Sequence, residues 1–72
     1  MIVYLLMEKY RDEDTEVREV FANTESLEEW FRENVLSKPF AEGVEYSPGD
    51  ILKGSVEIAR GVYWVEAYNV EC

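Results

Sequence analysis

Asn23-Thr24-Glu25-Ser26-Leu27-Glu28-Glu29-Trp30-Phe31-Arg32-Glu33-Asn34-Val35 is the stretch of this chain whose apolar residues recur at helical spacing. Ser26 fits an N-cap, with Glu29 three residues on at the capping-box spacing. Leu27, Trp30, Phe31, Asn34 and Val35 fall at i, i+3, i+4, i+7 and i+8, a largely apolar stripe suited to lie on a sheet. Glu28, Glu29, Arg32 and Glu33 take the opposite face. Glu28 and Arg32 are an i,i+4 pair in the favourable order, worth about 0.2–0.5 kcal/mol. The helix should stop before Pro39, because the residue preceding a proline is pushed out of the helical region.

The flanks read as strands. Residues 2 to 10 are rich in β-formers, with Val3, Leu5 and Met7 on one face and Tyr4, Glu8 and Tyr10 on the other. Arg11 to Glu16 contain no apolar residue, and Val17 to Ala22 resume a strand pattern, so the two strands predict a hairpin with an acidic tip. Residues 37 to 50 hold both prolines and form one long loop, ending in a turn at Ser47-Pro48-Gly49-Asp50. Ile51 to Ile58 and Val62 to Glu71 then read as two strands joined through Ala59-Arg60-Gly61. The order is ββαββ. It predicts one α+β domain over residues 1–72, a two-layer fold with an antiparallel sheet of about four strands and one helix on one face. A single helix covers only one face, so some of Tyr4, Tyr10, Trp64 and Tyr68 should be exposed or covered by a second copy, as in a homodimer.

Sixteen acidic and seven basic residues, with no histidine, give a net charge of −9 in 72 residues. Charges of a small domain sit on its surface, so the fold should be wrapped in negative potential and its natural partner should be basic. Direct nucleic-acid binding is disfavoured, because phosphates would meet a surface of their own sign. The apolar content of 47% and ten aromatic residues argue for a folded globule. Cys72 is the single cysteine, which excludes an intrachain disulfide and suits a reducing cytoplasm. The N-terminal run Met1 to Met7 lacks the basic flank of a signal peptide, and no segment approaches the roughly 20 apolar residues of a membrane span.

Chemistry-bearing patterns are missing. Without histidine, and with Ser26, Ser37, Ser47 and Ser55 outside any nucleophile motif, the chain reads as a non-enzyme. The tip Asp12-Glu13-Asp14 with Glu16 lacks the alternating ligands, glycine and distant Glu of an EF-hand loop, so no metal and no cofactor is expected. What stands out is how the acids are concentrated. From Glu8 to Glu33 there are ten acids and four bases. Strand positions i and i+2 lie about 6.5–7 Å apart and a helical turn rises about 5.4 Å, intervals comparable to successive phosphates. Glu8, Asp12, Glu13, Asp14, Glu16 and Glu19 along the first hairpin, with Glu25, Glu28, Glu29 and Glu33 beside them, are the candidate partner-binding residues.

In size, net charge, lack of catalytic residues and α+β layout, the chain resembles the small acidic inhibitors encoded by bacteriophages. These include uracil-DNA glycosylase inhibitors, some anti-CRISPR proteins, anti-restriction proteins and inhibitors of the histone-like protein HU. The segment from Val20 to Phe31 is similar to the strand, cap and helix of many short phage proteins. The resemblance implies a DNA mimic, active in the cytoplasm of a bacterial host, whose carboxylates occupy the nucleic-acid-binding surface of a basic host protein. Two other readings stay open. One is an interaction or regulatory domain that binds through its second sheet face with Trp64, Tyr68 and Tyr4, since large aromatic residues concentrate binding energy. The other is a structural protein that assembles with itself.

Overall fold

A computed structural model describes residues 1–70. The chain runs β1 (Ile2–Tyr10), β2 (Glu16–Phe21), α1 (Thr24–Phe31) with a π-helical continuation (Arg32–Leu36), a 3-10 turn (Pro39–Ala41), α2 (Asp50–Lys53), β3 (Val56–Ile58) and β4 (Gly61–Asn69). All neighbouring strands are antiparallel, in the order β2-β1-β4-β3. With α1 laid on one face, this is the two-layer α+β domain that the periodicities predict.

Three local features differ from the sequence reading. The helix is capped by Asn23, whose Oδ1 accepts the Ser26 amide at 2.8 Å, so Ser26 lies inside the first turn. Either residue can cap, and Asn23 wins because the chain leaves β2 in an extended conformation there. At the other end the helix widens, with the Ser37 amide donating to the Arg32 carbonyl five residues back at 3.0 Å, before Pro39 ends it. Ile51 to Lys53 are helical rather than strand. Pro48 and Gly49 take the central positions of a turn in which the Asp50 amide donates to the Ser47 carbonyl at 3.0 Å. Gly49 has φ +91° and ψ −7°, the type II geometry that favours glycine. The chain then stays coiled, and Ile51 drops into the core. The last strand spans Gly61–Asn69; its expected end at Glu71, and Cys72, lie outside the described residues.

Residues directly opposite on paired strands share a face. Tyr4, Leu6, Glu8 and Tyr10 of β1 therefore sit on the helix side with Tyr63 and Val65 of β4 and Phe21 of β2. There Leu6, Leu27, Phe31, Val35, Ala41, Ile51, Ile58 and Tyr63 form the core. Phe31 is its centre, with ring centroids 5.5 Å from Tyr63 and 5.6 Å from Tyr46. Trp30 meets Phe21 edge-on at 6.1 Å and ties α1 to the outer strand β2. Tyr10 lies over Gly61, where a Cβ would come within 3.2 Å of its ring, a close approach that glycine admits without displacing the tyrosine.

Candidate functional site

The face of the sheet away from α1 carries the most distinctive surface. Val3, Leu5 and Met7 of β1 point there, opposite Tyr68, Glu66 and Trp64 of β4. From β2, Val20 lies opposite Leu5, and Val17 lies opposite Met7. A simple alternation could not place Val17 and Val20, three residues apart, on one face. A register shift between Leu6 and Met7 leaves Arg18 unpaired as the extra residue of a bulge, which turns Val17 to the same side as Val20. Val17, Val20 and Tyr68 are each about half exposed, at 49%, 53% and 50%. Met7 is buried without belonging to the core, shielded where it faces Trp64 across the strands.

Glu66 sits between the two aromatic residues of this face. The Trp64 indole donates to its Oε2 at 2.9 Å and the Tyr68 hydroxyl donates to its Oε1. The Tyr68 bond first, then the Trp64 bond, holds the Glu66 carboxyl below its ordinary ionisation range; the same carboxylate pushes the Tyr68 phenol up. The two rings are thereby held in place on an otherwise uncovered apolar surface.

The ten candidate acids do not behave alike. Asp12, Glu13 and Asp14 at the hairpin tip, Glu16 and Glu19 on β2, Glu25 and Glu29 on α1, and Glu33 in its π-helical continuation are exposed. Glu8 is not a surface residue: it is 2% exposed, on the helix side, opposite Tyr63 and Glu16. Glu8 shares its face of β1 with Leu6, so the alternation turns it toward the helix layer, beside Tyr63, and not toward a partner. Its carboxylate is kept ionic company by Arg18, Nη1 to Oε1 at 3.8 Å. Burial first, then the Glu8 and Tyr10 contacts, push the Tyr63 phenol far up. The expected row along the first hairpin therefore loses its first member.

Glu28 is half-buried and works inside the fold. Its Oε1 accepts the Gly49 amide and the Tyr46 hydroxyl, the latter at 3.5 Å, which straps the long loop to α1. Burial is the main cause that raises the Tyr46 phenol. The expected Glu28–Arg32 pair does not form, since the loop amide takes the carboxylate instead. The four candidate interface aromatics divide likewise. Trp64 and Tyr68 lie on the helix-free face; Tyr4 and Tyr10 lie on the helix side, Tyr4 packed against the core.

Sequence reasoning missed Val17 and Val20 as surface partners of Trp64, because a bulge leaves no periodic signal. It also missed that Lys9, Arg11 and Arg60 line one groove beside Tyr10 and Val62, a convergence of residues far apart in the chain. Among the described residues, no group of acids, cysteines or histidines could hold a metal ion, and no helix is long and apolar enough to cross a membrane. No known protein family, curated protein or solved structure matches the chain.

Proposed function

We propose that this chain is a non-enzymatic protein-binding module whose contact surface is the helix-free face of its sheet. The observation that carries this reading is the uncovered apolar patch of Leu5, Val17, Val20, Trp64 and Tyr68, ordered by Glu66. Contiguous exposed apolar surface with a polar border marks interaction sites, and rigid aromatic residues supply their anchors. The exposed carboxylates and the net charge of −9 favour a partner with an apolar ridge set among basic residues, drawn in by long-range attraction.

A second reading, DNA mimicry, rests on the eight exposed carboxylates of the hairpin tip, β2, and α1 with its π-helical continuation. In it the chain is a phage inhibitor that occupies the nucleic-acid-binding surface of a basic host protein in the bacterial cytoplasm. The two readings differ in what breaks the complex. Nuclease-treated bacterial lysate is passed over the immobilised wild type, over Val17→Asp/Val20→Asp, and over a variant with Asp12, Asp14, Glu29 and Glu33 changed to Lys. A protein retained in high salt and lost with the valine variant supports the sheet-face module. A basic protein released by salt or added DNA, and lost only with the charge-reversed variant, supports mimicry and overturns the first reading. If nothing binds and the wild type sediments as a dimer that Val20→Asp dissociates, the face serves self-assembly instead.

A further inference from the structure

The long loop between α1 and α2 folds back over the helix and leaves a cavity of about 260 Å³ against Leu36, Val44, Tyr46 and Pro48, with Glu28 and Arg32 as its charged groups. Glu28 and Arg32 are one turn apart, in the order that ordinarily pairs, yet they do not pair. Glu28 spends Oε1 on the Gly49 amide and the Tyr46 hydroxyl, and no hydrogen bond to its Oε2 is made among the described residues. Arg32 makes no ion pair among the described residues. The cavity thus presents one guanidinium and one carboxylate oxygen, each unanswered, with Cβ atoms about 5–6 Å apart beside an apolar wall. Arg32 also opens the π-helical segment, a distortion frequent at functional sites.

We propose that this cavity binds a small zwitterion with an apolar body, the chemistry of a free apolar amino acid. The ligand carboxylate pairs with Arg32, its ammonium with Glu28 Oε2, and its side chain packs on Leu36, Val44 and Pro48. A ligand with a single charge would give up one of the two charge-assisted contacts, the one to exposed Arg32 or the one to partly buried Glu28. The volume suits a ligand of this size, just under the usual range for drug-sized sites. The site lies in the helix layer, and the proposal stands independently of the sheet-face reading.

The test is an amide chemical-shift titration of the full chain with L-phenylalanine, 3-phenylpropionate and phenethylamine as probes. Phenylalanine should give saturable shifts at Leu36, Val44 and Gly49. Each analogue lacks one charge-assisted hydrogen bond and should bind at least about tenfold more weakly. Arg32→Gln, at an exposed position, and Glu28→Gln, which keeps an acceptor for the Gly49 amide, should each weaken phenylalanine about tenfold, with melting temperature confirming the fold. If Glu28→Gln loosens the loop, Arg32→Gln alone decides, and unchanged affinity in it overturns the proposal. So does the absence of saturable shifts up to about 10 mM, an affinity too weak for two such contacts. Equal binding of either analogue, or shifts confined to the helix-free face, overturns it as well.

Discussion

Arg18 stands across the bulge of β2 with its Nη1 3.8 Å from Oε1 of Glu8, a carboxylate almost sealed from water. The bulge that frees Arg18 from the ladder also sends Val17 to the helix-free face, so one irregularity serves both the buried charge and the apolar surface. It also sets Glu16 opposite Glu8, a like-charge pairing that the nearby guanidinium offsets.

Arg18→Ala should therefore destabilise the domain by about 1–2 kcal/mol, short of the value for a fully buried pair because Arg18 is itself half exposed. The urea midpoint measures it. An unchanged midpoint would mean that Glu8 depends on Tyr63 alone.

Asn23 and Ser26 make opposite forecasts under the two capping schemes. With Asn23 as the cap, Asn23→Ala should lose about 1 kcal/mol and Ser26→Ala should stay within about 0.5 kcal/mol. Equilibrium unfolding of both variants distinguishes them, and a larger loss at Ser26 would restore the capping box that the sequence suggests.

Ala59 has φ +56° in the two-residue connection between β3 and β4, a left-handed conformation that an L side chain resists. Ala59→Gly should raise stability by about 0.5–1 kcal/mol, the strain relieved exceeding the entropy that glycine adds to the unfolded chain. Ala59→Val should lower it. Thermal melting of the pair reads both signs.

Glu66 gives the molecule a pH dependence at its apolar face. Its carboxyl is held low in the folded state, so its contribution is present above its unfolded value near 4.5 and is lost as pH falls through the lowered folded value. Protonation turns one of the two accepting oxygens into a hydroxyl and weakens the bonds that fix Trp64 and Tyr68. Tryptophan emission of the wild type should change below about pH 4.5, and Glu66→Gln should lack that change. Tyr68 behaves in mirror image: with its phenol raised, the pairing is intact below the ordinary tyrosine value of 10.0 and is lost as pH rises through the raised one.

The residues differ in how openly they announce these roles. The stripe Leu27, Trp30, Phe31, Val35 appears in the structure as the sequence predicts, and residues 2 to 10 keep their division into two faces, since each is a pattern between near neighbours that backbone geometry enforces. Which face meets the helix is not such a pattern, and Leu6, Met7 and Glu8 are buried in succession. Ile51 is helical where the sequence predicts strand, because one buried aliphatic residue after a turn is compatible with either period. Trp64 and Tyr68 could be named as partly exposed, but not as sharing a face with Val17 and Val20 and turning away from Tyr4 and Tyr10. That depends on which strands pair and where the ladder slips.

Net charge, the number and kind of elements, and the amphipathic character of α1 follow from composition and local spacing, because side-chain period is a property of the backbone within a few residues. The burial of Glu8, the recruitment of Glu28 by Gly49, the unanswered Arg32 and the openness of one sheet face depend on contacts between distant segments. A carboxylate looks the same in the chain whether solvent, an arginine or a loop amide will meet it. Burial and register, which only the folded chain possesses, choose among the three.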